Sequence, residues 1–309
     1  MKILVTGGAG FIGSNVADAF IAAGHDVAIV DNLATGSLAN VNSAARFYEA
    51  DITDHDRLVE IFDAERPDVV NHHAAQVNIR VSVARPLFDT SVNVLGTVSV
   101  LDASALAGVK RFVFVSSGGA VYGEPLVIPT TEDTLASPIS AYGAAKLSGE
   151  HYCNVYRAVR GLPFVILRYA NVYGPRQSPE GEAGVTSIFA RLMLQGKPCT
   201  IFGDGSKTRD YVHVHDIAQA NLLALEKGEF GVFNIATGRQ VSDQQVFDSL
   251  AAAAGYTDPV NYAPFRAGEV SRSALDCTRA GEVLGWAPTI NFEEGVASVV
   301  EYHRADLGL

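Results

Sequence analysis

The chain has 309 residues, 48% of them apolar and 18% charged, so it can bury a sizeable core and broad disorder is not expected. Its net charge of −11 argues against nucleic acid or an acidic membrane surface as a partner, while a small anionic ligand, which needs only a local cluster of Arg and Lys, stays open. The three cysteines, Cys153, Cys199 and Cys277, are too few and too scattered for a disulfide framework and show no zinc-like spacing, which fits a reducing cytoplasm.

Lys2 to Val5 reads as a first strand rather than a signal peptide, and it ends in glycines. Phe11 to Ala23 has helical spacing and stops at Gly24, and Asp26 to Val30 is the next strand. Pro67 to Asn71, Arg111 to Ser116 and Phe164 to Leu167 repeat the short apolar pattern. Between them, Leu87 to Ala107 and Ala141 to Val159 carry helical apolar stripes. Such runs predict a doubly wound α/β fold, a parallel sheet covered on both faces. Regular alternation weakens after Arg168, where Gly- and Pro-rich loops appear. His215 to Lys227 is predicted as a helix, Val232 to Ile235 as one more strand, and Ser242 to Gly255 and Phe292 to Arg304 as peripheral helices. We expect a nucleotide-binding domain from 1–166 and 208–236 and a smaller substrate-binding lobe from 167–207 and 237–309. No apolar stretch reaches the roughly 18 residues of a membrane span.

Gly7-Gly8-Ala9-Gly10-Phe11-Ile12-Gly13 follows the first strand and opens a helix. Glycines at 7, 10 and 13 let backbone approach a pyrophosphate, and the helix start offers free N–H groups and a positive dipole end. The unit closes on Asp31 at the end of the second strand. A carboxylate there can accept from ribose hydroxyls and would repel a 2′-phosphate, so NAD is favoured over NADP. The alternative is an ordinary tight turn with a strand-end acid.

Tyr142-Gly-Ala-Ala-Lys146 places a phenol and an ammonium four residues apart, on one helical face. A positive charge beside a phenol favours phenolate, which would serve as general base for an alcohol proton while hydride leaves for a nicotinamide. Ser140 is placed to cap this helix.

These residues resemble the extended short-chain dehydrogenase/reductase family, with its Rossmann-type nucleotide domain, over nearly the whole chain. The closest likeness is to UDP-galactose (UDP-glucose) 4-epimerases. Further segments carry it: Asp31-Asn-Leu-Ala-Thr-Gly36, His73-Ala-Ala-Gln76, Asn93-Val-Leu-Gly-Thr97, Ser116-Ser-Gly-Gly-Ala-Val-Tyr-Gly123, Leu167-Arg-Tyr-Ala-Asn-Val-Tyr-Gly-Pro-Arg176, Thr208-Arg-Asp-Tyr-Val-His-Val214 and Arg266-Ala-Gly-Glu269. The resemblance implies that Phe11 and Ile12 join the glycines at the dinucleotide. Asp31, Asn32, Thr35 and Gly36 would hold its adenosine end, with Asp51 and Ile52 flanking the adenine. Ala74, Ala75 and Gln76 would line the pyrophosphate and nicotinamide side, with Asn93, Ser116, Tyr169 and Val172 completing the cofactor site around Tyr142 and Lys146. Asn171, Val185, Thr200, Phe202, Arg209, Arg266 and Glu269 would form the UDP-sugar site. The two arginines would supply forked donors to a diphosphate. Without the resemblance each Arg reads equally as a solvated charge, and Phe202 as core.

One position departs from the pattern. The family's usual Ser or Thr falls on Gly118, while Ser117 stands 25 residues before Tyr142. Either Ser117 takes over the hydrogen bond to the sugar C4 oxygen, or Tyr142 works through a water, and both serines only satisfy backbone. The reaction implied begins with oxidation at C4. Dehydratases and decarboxylases of the family carry acids before Val-Tyr-Gly, and Gly119-Ala120 stands there instead. Small neutral residues cannot shuttle protons, so epimerisation through a retained cofactor is expected. Ser273, at a position that gates the C2 pocket in the family, is small and would admit N-acetyl groups. A UDP-glucuronate epimerase, with Arg176 or Arg191 meeting the carboxylate, is the rival reaction, and a non-catalytic NAD-binding sensor is the rival class. His213 and His215 near Asp216 lack a third metal ligand at suitable spacing, so no metal is expected, and Asp216 is expected to cap the following helix. The resemblance also implies a homodimer through the 87–107 and 141–159 helices, and a place in galactose metabolism.

Overall fold

The computed structural model describes residues 1–180, 184–265 and 270–309. Seven parallel strands form the central sheet: β1 (Lys2–Thr6), β2 (Asp26–Asp31), β3 (Arg46–Glu49), β4 (Val69–His72), β5 (Arg111–Ser117), β6 (Phe164–Tyr169) and β7 (Val232–Ile235). Their order is β7-β6-β5-β4-β1-β2-β3. Chain progression therefore reverses between β1 and β4, and a crevice opens at the carboxyl ends of these two strands. Ile3, Leu4 and Val5 are all buried, as a strand covered on both faces requires.

One face is covered by α1 (Phe11–Ala22), through Val16, Ala17 and Phe20, and by the helix Val214–Ala224, through Ile217, Ala218 and Ala220. The other is covered by α2 (His55–Glu65), α3 (Thr97–Leu106) and α4 (Ala141–Arg160), whose Leu58, Phe62, Leu101 and Cys153 meet Leu4, Phe112 and Ile166. A third core, with Phe189, Met193, Phe247, Val296 and Val299, joins α5 (Val185–Leu194), α7 (Asp243–Ala254) and α8 (Phe292–Asp306), the helix Val214–Ala224 being α6. β6 continues to Tyr169, and α6 packs on α1.

The expected helix over 87–107 is not continuous. Pro86–Thr90 and α3 flank a π-helical stretch, Ser91–Gly96. Asn93 lies within it, 2% exposed, and the wider turn accompanies the turning of this amide onto the 74–76 loop. His213, rather than Asp216, caps α6: its Nδ1 accepts from the His215 N–H at 3.2 Å, and its Nε2 lies 3.1 Å from Ser298 Oγ. Asp216 sits inside the first turn and accepts from Thr289 and Ile290, which ties α6 to the approach to α8.

Candidate active site

Gly7 has φ +71°, and a Cβ there would lie 2.6 Å from the Ala74 nitrogen. A Cβ at Gly13 would run into the Gly7 carbonyl. Gly10, the N-cap of α1, makes no side-chain capping bond, so the first N–H groups of the helix stay available. Bend and helix start together form a side-chain-free cradle fit for a pyrophosphate. Phe11 and Ile12 are half-buried at its rim.

Asp31 is 8% exposed, and its carboxylate accepts from Ala9 N at 3.0 Å and Leu33 N at 2.8 Å. It braces the glycine bend and the next loop at once, and it retains lone pairs for a ribose. Asn32 and Thr35 are exposed and Gly36 closes on Ala9. Asp51 accepts from Thr53 and, at 2.7 Å, from Asn32 Nδ2. Burial opposes its ionisation, but these hydrogen bonds outweigh that and hold the carboxyl below its usual range. Ile52 is buried against Gly96.

Past β4, Asn93 grips the backbone of Gln76, with Oδ1 accepting from Gln76 N at 2.8 Å and Nδ2 donating to Gln76 O at 2.9 Å. The Gln76 side chain turns inward to Asp89 and Asn78. The side chains of Asn93 and Gln76 are therefore engaged in shaping the loop, leaving Ala74 and Ala75 to line the cleft. Tyr169 is buried, its hydroxyl accepting from Asn221 Nδ2 at 2.7 Å, and Val172 is half-buried nearby in sequence.

Ser140 Oγ accepts from Gly143 N at 3.1 Å and so caps α4. Tyr142, Lys146 and Glu150 follow on one face of that helix. Tyr142 is half-buried, and the Ser117 side chain lies close enough to its phenol to lower the phenol's pKa. Lys146 is 4% exposed, donates to Val115 O at 2.9 Å, and lies 5.9 Å from the centre of the Tyr142 ring. Burial pushes the Tyr142 phenol up to about 12 despite the Ser117 bond, with Asp89 adding to the rise. The expected depression by Lys146 is therefore not present in the polypeptide alone, where burial sets the direction. Burial likewise pulls the Lys146 ammonium down to about 8, against the opposing charges of Asp89 and Glu150.

Ser117 and Ser116 point to opposite sides of β5, as strand alternation dictates. Ser116 Oγ is committed to Glu150, which also takes two guanidinium bonds from Arg168, at 2.9 and 2.6 Å. What Ser116 has left for a cofactor is its backbone. A Cβ at Gly118 would meet Leu275 Cδ1, so a side chain there would require the tip of Leu275 to shift. The hydroxyl that meets Tyr142 is thus on Ser117. Sequence reasoning missed Asp89, Glu150 and Arg168. Glu150, one turn beyond Lys146, and Asp89, one turn before Asn93, both carried a helical spacing signal.

On the sugar side, Asn171 Oδ1 is the nearest atom to Gly119, 3.7 Å from a Cβ built there. Val185 begins α5, and Thr200 and Phe202 lie half-buried on a short strand beside Asn261–Ala263. A cavity of about 510 Å³ adjoins that strand, lined by Gly203, Asp204, Tyr262 and Phe265. Arg209 is half-buried and donates to Thr208 O at 2.8 Å, and no acidic side chain among the described residues pairs with it, so further donors remain for a diphosphate. Ser273 is buried, its N–H on Thr208 O at 3.2 Å. Arg266 and Glu269 lie outside the described residues. Among the described residues no group of three His, Cys, Asp or Glu is arranged to hold a metal, and no helix is long and apolar enough to cross a membrane.

Residues 3–236 match the NAD dependent epimerase/dehydratase family. The chain belongs to that family. Its fold and its dinucleotide cradle are those of an NAD-dependent family member, and NAD is its cofactor. It is 46% identical to a UDP-glucose 4-epimerase of Mycolicibacterium smegmatis, over 98% of this chain and 99% of that one. The crystal structure of a Thermotoga maritima UDP-glucose 4-epimerase with UDP-glucose has a TM-score of 0.98 at 49% identity, covering 99% of this chain and 100% of that one. A Thermus thermophilus UDP-glucose 4-epimerase complexed with NAD has a TM-score of 0.95 at 43% identity, covering 98% and 99%.

Proposed function

We propose that the protein is an NAD-dependent isomerase that inverts C4 of UDP-hexoses, UDP-glucose and UDP-galactose first among them, through a transient 4-keto sugar. The observation that carries this reading is the meeting of Ser117, Tyr142 and Lys146 at the end of β5, beside Gly119 and Ala120 where an eliminating enzyme would need acids. When bound, NAD accepts hydride from C4 and returns it to the opposite face. Tyr142 takes the C4 hydroxyl proton and gives it back, Ser117 holds the C4 oxygen, and Lys146 supplies positive charge. Ionisation of a phenol that burial holds at about 12 calls for positive charge beyond Lys146, of the kind an oxidised nicotinamide ring carries. Arg209 and Arg266 hold the diphosphate, with Glu269, Thr200 and Phe202 toward the nucleoside.

Because no net redox change occurs, the purified protein should equilibrate UDP-galactose and UDP-glucose without added NAD. A sensor of the same family would leave either sugar unchanged, and that result would end the epimerase reading. Ser273 is small and buried, which supports acceptance of N-acetyl sugars. Turnover of UDP-N-acetylglucosamine is expected within about a thousandfold of UDP-glucose, and slower turnover would remove that extension. For UDP-glucuronate, Arg191 is paired with Asp306 and Arg176 with Asp18, both at 2.7 Å, and Nη1 of Arg176 is buried without a partner. The exposed Val83, Leu87, Leu95, Val155 and Val159 support a homodimer through the 79–106 and 141–160 helices. The remaining parts of the reading are the two lobes as divided from sequence, work in the cytoplasm and a role in galactose metabolism.

A further inference from the structure

Asp89 lies on the short helix Pro86–Thr90, packed against α4, and is completely buried. Its Oδ1 accepts from Gln76 Nε2 at 2.7 Å and Asn93 Nδ2 at 2.9 Å, while its Oδ2 has no partner. A buried carboxylate with one bare oxygen and no ion pair is costly, and structures seldom keep one. The loop it supports is the 74–76 wall of the cofactor cleft. Near it and Lys146 are Tyr142 and Glu150 of α4 and His72 and His73 at the end of β4, with Arg168 of β6 behind Glu150, while Arg80 lies on the short helix Ile79–Ala84 and Arg85 follows it. Glu150 is neutralised by its two bonds from Arg168. Arg85 stacks on Phe88, 4.7 Å from the ring centre.

We propose that Asp89 is a positioning residue with an electrostatic role: it fixes Gln76 and Asn93 beside the dinucleotide and supplies the uncompensated negative charge that faces Lys146 and Tyr142. The charge acts on both partners in the same sense, favouring the ammonium and disfavouring the phenolate. Its own carboxyl is raised by burial, against the hydrogen bonds from Gln76 and Asn93 and the attraction of Lys146. The arrangement sets where on the pH scale the Tyr–Lys pair works, while Ser117 and the Lys146–Val115 bond hold its geometry.

The proposal rests on the epimerase reading, and the test separates the two. Wild-type holoenzyme that fails to interconvert UDP-galactose and UDP-glucose overturns the epimerase reading. With activity present, kcat/KM is measured across pH for wild type, Asp89→Asn and Asp89→Ser. Asn keeps the acceptor that Gln76 and Asn93 use, and Ser is a second neutral replacement. Removing the charge should move both limbs of the profile to lower pH, by about half a unit or more. Lower activity with unmoved limbs would show a purely structural residue and overturn the proposal. Failure of both variants to fold would overturn it equally, since Asp89 would then be serving stability.

Discussion

At the Gly7–Gly13 bend the cleft is shaped by missing side chains, whereas at the Ser117–Tyr142–Lys146 end it is shaped by buried charge. The first end works by backbone shape: Gly7 against Ala74, Gly13 against the Gly7 carbonyl, and unpaired N–H groups at the start of α1. The second end works by electrostatic opposition. Burial pushes the Tyr142 phenol up to about 12 and the Lys146 ammonium down to about 8, with an Arg168–Glu150 pair one turn along α4 and the charge of Asp89 acting on both. A shape-built site is preformed whether or not ligand is present. A charge-built site responds to what enters it, because added positive charge favours the phenolate.

The largest effect should come from breaking the shape-built end. Gly13→Ala forces a methyl into the Gly7 carbonyl, so the bend must open where the pyrophosphate would lie. The purified variant should carry less than about a tenth of the wild-type dinucleotide, measured by extraction and absorbance, and its activity should fall in proportion. Wild-type cofactor content would show that the bend tolerates side chains and is not the cradle.

Next in size are substitutions at the charge-built end, which should spare cofactor content. Tyr142→Phe should lower kcat at least about a hundredfold. Ser117→Ala should cost about tenfold, since one hydrogen bond to the phenol and to the C4 oxygen is lost while the base remains. A Ser117→Ala variant as active as wild type would point to a water in its place.

The same contrast explains what the sequence made legible. The glycine bend, Asp31 and the Tyr–Lys spacing are local patterns with a direct physical meaning, and each falls where the reading put it. Strands β1, β2, β4, β5, β6 and β7 are buried apolar runs and were legible for the same reason, while β3 and α2 carried too mixed a pattern. Whether Ser117 or a water stands beside Tyr142 was not legible, because it depends on how the end of β5 meets α4 in the fold. The Glu150–Arg168–Ser116 cluster and the Asp89–Gln76–Asn93 cluster join residues from different strands and helices. Helical spacing placed Glu150 near Lys146 and Asp89 near Asn93, but it could not reveal which strands and loops bury them. The turned-in side chains of Asn93 and Gln76 also follow from the fold, since only the π-helical stretch brings Asn93 onto the 74–76 loop.

The smallest effect is the one that separates stability from activity at the charge-built end. A buried ammonium held at about 8 rather than 10.5 costs the folded polypeptide roughly 3 kcal/mol at neutral pH. Lys146→Met keeps the length of the side chain and removes that charge, losing the bond to Val115 O, about 1 kcal/mol. In dinucleotide-free protein the variant should melt a few degrees higher than wild type while being inactive. The sign also fixes the pH window. With the folded-state value depressed, the penalty is fully present below about pH 8 and fades as pH rises toward the ordinary ammonium value of 10.5. The variant's advantage should therefore shrink between pH 8 and 10.5, a range that lies below the raised Tyr142 phenol. A variant that melts lower than wild type at pH 7 would show that Lys146 is paired well enough to stabilise the fold, and the view of this end as a site under electrostatic opposition would have to be given up.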